Sequence, residues 1–317
     1  MFKYFLKRFA AMLVTLFLIL TLSFWVIRLM PLSIFENPDI SPEIQQKLEE
    51  KMHLHEPMVV QFGYFISGVL TRGDFGTSVK IRPGMDVLEI IWERVPTTMI
   101  LNAASLILAI PLGILAGTIA ALKRGKMTDN LISFLIVIFI SVPSFVFASL
   151  LQYLFTLQWP VFPTLYLTHA STTGQIVASM VLPVIALSLG PLATIARYLR
   201  GELIESLSSE YMLLARTKGL TRGEAVVAHA FRNSLVPIAN TIIPLITGIM
   251  GGSLVIEKIF AVPGIGGLLV DSIMAGDHFL TVALLMMYSV TSLLTIFIID
   301  VSYGIIDPRI RIGGGKE

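Results

Sequence analysis

Apolar stretches long enough to cross a lipid bilayer recur along this chain, and no other feature limits its fold as strongly. Residues 9–27, 98–122, 131–157, 175–196, 235–256 and 280–299 are each nearly free of charge. A helix needs about 20 apolar residues to span the hydrocarbon core. Inside that core each backbone N–H and C=O must find a partner within the protein, which favours helices. The pattern predicts an all-α membrane protein with six transmembrane helices. Composition agrees, because 55% hydrophobic and only 14% charged residues cannot cover the surface of a soluble domain of 317 residues. There is no cysteine, so disulfides, thiolate metal sites and thiol nucleophiles are excluded.

Basic residues set the orientation. Lys3, Lys7 and Arg8 precede the first apolar run, and Lys123, Arg124 and Lys126 follow the second. Arg197, Arg200, Arg216, Lys218, Arg222 and Arg232 fill the loop before the fifth, and Arg309, Arg311 and Lys316 end the chain. The positive-inside rule then predicts that both termini (1–8 and 307–317) and the 197–234 loop are cytoplasmic. The first run is too long for a signal-peptide core and lacks a small-residue cleavage site, so an uncleaved first span is expected over 9–30. Residues 31–95 become an extracytoplasmic cap shielding span ends, with a direct ligand site as the alternative, helical in the middle of 36–57 and rich in turn residues over 72–84. Residues 96–306 hold the other five helices. The loop at 159–174 carries no Lys or Arg and offers Trp159 and Tyr166 to the membrane interface.

The second, third and fourth runs have no Asp, Glu, Lys, Arg or His in their interiors, and Arg28, Glu257 and Asp300 lie near span ends. Ion-coupled carriers keep such groups near the membrane middle, where they move the coupling ion. The driving force is therefore expected from a partner; an ion-coupled carrier or channel, and a scaffold that moves nothing, are the alternatives. Nothing has the phosphate-cradling P-loop pattern, since GGGKE at 313–317 lacks the strand and helix that would flank it. His53 and His55 beside Glu56 read as surface histidines rather than a metal site, and His169 and His278 are isolated. No catalytic, cofactor or metal residues are expected. Pro111, Pro143, Pro183, Pro191, Pro237 and Pro244 predict kinks. The Gly113/Gly117 and Gly248/Gly252 pairs predict close helix approach, for plain packing or for a substrate pathway.

The stretch 209–240 is the longest polar interruption of the second half. Ser209 is placed to cap a short helix with Glu210 in its first turn and Lys218 in its last, as the helix dipole favours. Gly219 would stop that helix after roughly nine residues, about 14 Å, which is too short for a bilayer. Thr221 and Glu224 form a T-x-x-E capping box for a second helix running toward Pro237. Such a pair is built to touch something on the aqueous side.

These residues resemble the permease subunits of binding-protein-dependent ABC importers, in the dipeptide/oligopeptide (peptide/nickel) branch. Tyr211, Ala215, Lys218, Gly219 and Leu220 match the first part of its cytoplasmic motif, and His229, Arg232, Asn233 and Pro237 the second. GDFGTS at 73–78, RVPTT at 94–98 and FAVPGIGGLL at 260–269 resemble further signatures in the same order. Two stretches depart from the pattern, PLSIF at 31–35 and MHLHEP at 52–57, both outside the predicted spans.

The resemblance implies a type I ABC importer permease arrangement in a bacterial or archaeal cytoplasmic membrane, with an extracytoplasmic cap and a cytoplasmic coupling-helix pair. It implies a second homologous permease, two ATPase subunits that carry ATP and Mg, and an extracytoplasmic substrate-binding protein, with no nucleic acid and no cofactor on this chain. Glu210, Tyr211, Leu214, Ala215, Lys218, Gly219, Leu220, His229, Arg232, Asn233 and Pro237 would form the ATPase-coupling site, with Tyr211 and Leu214 seated in a groove. Pro263, Gly264 and Gly266 would lie on the receptor side. The cargo would be an oligopeptide or dipeptide, or alternatively a nickel chelate or other small solute.

Overall fold

The computed structural model of the chain describes residues 2–29, 50, 53, 55–168 and 172–306. The turn at 31–35, most of the helix expected within 36–57, His169 and the tail 307–317 lie outside these residues. In chain order the helices are α1 (Phe2–Arg28), α2 (Met58–Arg72), α3 (Val87–Leu122), α4 (Met127–Ser141) and α5 (Ser144–Gln152). They continue with α6 (Thr173–Leu207), α7 (Glu210–Thr217), α8 (Arg222–Ala225), α9 (Arg232–Thr247), α10 (Leu254–Ile259), α11 (Ile265–Ala275) and α12 (His278–Ile306). One isolated antiparallel bridge, Thr77 with Asp86, is the β pairing among the described residues.

Among the described residues four stretches are long and apolar enough to cross a bilayer: 6–26 in α1, all of α3, all of α6 and 278–300 in α12. The pair α4–α5 and the run from α8 through α9 raise this to six if each is one broken span. The break in the first pair falls at the SVPS sequence, as expected, and bends the path by 101°.

The chain folds as two compact units. In the first, Met1–Thr98 with Pro263–Phe297, Leu20 and Phe24 of α1 meet Phe65 and Val69 of α2 and Val282 of α12. Both pairs are spaced i, i+4, so each helix presents one stripe to the other. The opposite side of α1, with Leu6, Leu13, Phe17 and Leu22, is exposed, as a bilayer-facing surface would be. Left-handed Gly73 (φ 64°) ends α2. Asp86 starts α3, its Oδ1 accepting the amides of Leu88 and Glu89 at 2.8 and 3.2 Å. That cap explains why the helix begins well before the apolar run at 98.

In the second unit, Met99–Val262 with Ile298–Glu317, helices α4, α5, α9 and α10 all pack on α6. A Cβ added at Gly113 would lie 2.8 Å from the Leu192 carbonyl oxygen, and one at Gly117 2.7 Å from that of Ala196. This first small-residue pair therefore seats α3 directly on the α6 backbone. The second pair does something else. α9 stops at Thr247, a 3₁₀ turn covers Gly248–Gly251, and Gly252 takes φ 58°. A Cβ at Gly248 would meet nothing within 4 Å, so these glycines break the expected 235–256 span instead of packing it. Asn102 donates to the Ile249 carbonyl at 2.8 Å, satisfying a group in the break. Glu257, near the end of the expected fifth span, is 1% exposed within α10. α6 outruns its apolar stretch because Ala196, Leu199, Leu203 and Ser206 extend its buried stripe.

Candidate functional site

The segment after α6 folds back on the helix that delivers it. Leu203 of α6 and Ala121 of α3 meet Met212 and Ala215 of α7, Ala225 of α8, and Val226 and Ala230 in the π-helical turn Val226–Phe231. Ile204, Leu207 and Leu220 close this core at its edges. Met212 and Ala215 lie three residues apart, so one face of α7 is committed inward.

Local chemistry sets the turns. Lys218 occupies the C-cap of α7, and Gly219 follows at φ +91°, where a Cβ would be strained although the space around it is open. Thr221 and Glu224 form the expected capping box. The Thr221 hydroxyl oxygen accepts the Glu224 amide at 3.3 Å, and Glu224 Oε2 accepts the Thr221 amide at 2.8 Å. The Thr221 hydroxyl also donates to that carboxylate at 2.7 Å. Hydrogen bonds from the hydroxyl and then the amide hold Glu224 below the usual carboxylate range.

Two expectations need correction. Ser209 stands at the N-cap of α7 but does not cap it; its hydroxyl donates to the Ser206 carbonyl at 2.6 Å. α7 ends at Thr217, so Arg216, not Lys218, is the base in its last turn.

Ser206 joins all three parts of the site. Its hydroxyl lies 3.1 Å from the Ala230 carbonyl and within hydrogen-bond distance of the Tyr211 hydroxyl. Burial pushes the Tyr211 phenol up, but hydrogen bonds with Ser206, Ser209 and Asn233 outweigh it and leave the group below its ordinary value. The Tyr211 ring is still 37% exposed, beside Leu213 at 66% and Leu214 at 55%. Val227 on the second arm is 70% exposed. Glu210, Arg216, Lys218, Arg222, His229, Arg232 and Asn233 are exposed around them. The surface is thus an apolar patch with a mainly basic surround.

Of the candidate residues, Ala215 and Leu220 share the core of the helix pair, and Tyr211 hydrogen-bonds with Asn233 at the start of α9. Pro237 lies further along α9 and is exposed. Pro263 is half-buried and Gly264 and Gly266 are buried, so they shape the start of α11 more than they offer surface. Sequence reasoning missed Ser206, Met212 and Ala230. The inward spacing of Met212 and Ala215 was a usable signal, whereas nothing local marked Ser206. His53, at φ 53°, stacks on Tyr64 with ring centroids 4.0 Å apart. Among the described residues no three His, Asp or Glu side chains gather as a metal site would require.

The sequence and the architecture have counterparts in known proteins. Residues 109–312 match the family described as binding-protein-dependent transport system inner membrane component, and residues 1–102 match the N-terminal membrane component of such systems. The chain belongs to this family: it is a transport component of a membrane, not a catalytic subunit. It is 40% identical over 312 residues to the dipeptide transport system permease protein DppB of Lactococcus lactis, covering 98% of this chain and 100% of that one. DppB of Bacillus subtilis is 36% identical, with 98% of each chain covered. The oligopeptide transport system permease protein OppB of Escherichia coli is 36% identical, over 98% of this chain and 100% of its own length. A chain in the inward-facing MetNI methionine ABC transporter superposes with a TM-score of 0.55 at 16% identity, covering 69% of this chain and 97% of that one. That likeness concerns the fold.

Proposed function

We propose that the chain is one of two permease subunits of an ATP-driven importer and forms, with a homologous partner, a pathway for dipeptides or oligopeptides. Nearly full-length similarity to dipeptide and oligopeptide permeases supports the cargo class. Six spans, with both termini and the 197–234 loop in the cytoplasm, fit the distribution of basic residues. ATP and Mg belong to two separate ATPase subunits, and an extracytoplasmic binding protein delivers the cargo on the side of residues 31–95 and 260–269.

The α7–α8 pair is the coupling element. The observation that carries this reading is its two-sidedness: Met212 and Ala215 lock it to α6, while Leu213, Leu214 and Val227 face outward. An exposed apolar patch on a short rigid helix suits a groove in an ATPase. Closure of the ATPases around ATP displaces the pair, and its core carries that displacement into the ends of α3 and α6. Affinity isolation of the tagged chain from its native membrane tests this. Two ATPases and a second permease should accompany it, with ATP hydrolysis stimulated by peptide-loaded binding protein. A complex stimulated by a nickel chelate and not by peptides would reassign the cargo, and isolation of the chain without any ATPase would defeat the reading.

A further inference from the structure

Asp129 is 1% exposed although the turn before it, with Lys123, Arg124, Gly125 and Lys126, is open to solvent. A buried carboxylate is costly unless its lone pairs are filled, and here they are. Oδ1 accepts Arg200 Nε at 2.6 Å and the Ser133 hydroxyl at 3.3 Å. Oδ2 accepts Arg200 Nη2 at 2.8 Å and the Gly125 amide at 2.9 Å. The Arg200 fork is thus used in its two-pronged form, which fixes direction as well as distance and which lysine cannot reproduce.

The position of the pair gives it a consequence. Arg200 lies on α6 just before Leu203, Ile204, Ser206 and Leu207, the residues on which the coupling pair is seated. Asp129 lies in the first turn of α4, directly after the turn from α3. Ala121 at the end of α3 is already in the coupling core. Further along, Ile136 of α4 packs with Ala193 and Ala196 of α6. The base of α4 is therefore tied to the helix carrying the coupling pair by an ion pair at one level and by packing at the next.

We propose that Asp129 and Arg200 are positioning residues that make α4 move as one body with α6 and the coupling pair. Displacement at α7 is then taken up at the Val142–Pro143 break, not at the 123–126 turn. This deepens the coupling role argued above and rests on it. The lack of native cysteine makes the test clean, because thiol spin labels can be placed at Asn130 and Arg216 in the assembled complex. The distance between the labels should be the same with and without ATP in the wild type, and should broaden with ATP in R200Q. R200Q and D129N should each lower peptide uptake per ATP hydrolysed roughly fivefold or more, with R200K falling between and the double variant no worse than the poorer single one. The complex should still assemble in each. An ATP-dependent change of the wild-type label distance, or normal uptake per ATP in assembled R200Q, would overturn the link. A wild-type complex that imports no peptide at all would instead count against the transport reading, and the label distances would still judge the link.

Discussion

The Ser78 hydroxyl donates to Asp277 Oδ2 at 2.5 Å, joining positions 199 residues apart in the chain. The same oxygen accepts the amides of Val79, Lys80 and Ile81 at 3.2, 3.0 and 3.0 Å. Close by in sequence, the Thr98 hydroxyl accepts the Ile265 amide at 2.9 Å, and a Cβ at Gly76 would lie 2.8 Å from the Phe279 ring. Three stretches that stand out in the sequence, GDFGTS, RVPTT and the PGIGG part of FAVPGIGG, are therefore held to one another or to the adjoining α11–α12 segment inside the first unit.

Asp277 is fully buried, so replacing it with alanine strands several donors at once. Each stranded buried donor costs about 1–3 kcal/mol. Asp277→Ala should lower thermal stability and speed hydrogen exchange at the amides of Val79, Lys80 and Ile81. Asp277→Asn keeps an acceptor and should do less. Unchanged exchange at those amides in the alanine variant would remove the role given to Asp277.

The two faces of α7 should respond differently to the same change. Leu214→Asp alters an exposed position and should leave the chain folded in the membrane while the ATPases no longer co-purify. Met212→Asp puts a charge into the core beneath the helix and should reduce the amount of folded chain. Co-purification yield and membrane abundance, measured together, separate the two outcomes.

At Gly219 the backbone sits at φ +91° with no atoms near an added Cβ. Gly219→Ala should cost about 1–2 kcal/mol of backbone strain without a clash. Gly219→Pro is harsher, because proline cannot reach this φ and removes the amide that donates to Arg216 at 3.0 Å. The proline variant should reach the membrane yet lose transport, as measured by uptake against membrane abundance.

The capping box predicts a pH dependence. Glu224 has its carboxyl held below the ordinary value, so the charged form favours the folded turn. That contribution is present above the ordinary glutamate range and is lost as pH falls through the lowered value of the folded state. Hydrogen-exchange protection at Glu224 and Ala225 should decline over that acidic window in the wild type and be flatter in Glu224→Gln. Thr221→Ala should cost about 1 kcal/mol at neutral pH.

Features whose causes are local were legible in the sequence. The Thr221–Glu224 box, the turn at Gly219 and the break at SVPS each depend on residues a few positions apart. Helix ends were less legible. α3 begins early because of the Asp86 cap, and α6 runs on because Leu199 and Leu203 continue its stripe into polar sequence. Gly248 and Gly252 share the spacing of Gly113 and Gly117, but no facing helix meets Gly248, and spacing alone does not reveal the neighbour. Tyr211 with Ser206, Asp129 with Arg200, and Ser78 with Asp277 left no trace in the sequence, because pairs of that kind follow from three-dimensional packing and not from periodicity.

Reconstitution in sealed vesicles tests the central claim most directly. With its partner permease, both ATPases, internal ATP and loaded binding protein outside, the chain should support uphill peptide accumulation that stops when ATP is withheld. Accumulation by this polypeptide alone, without any nucleotide-hydrolysing companion, would contradict a mechanism in which force enters through α7.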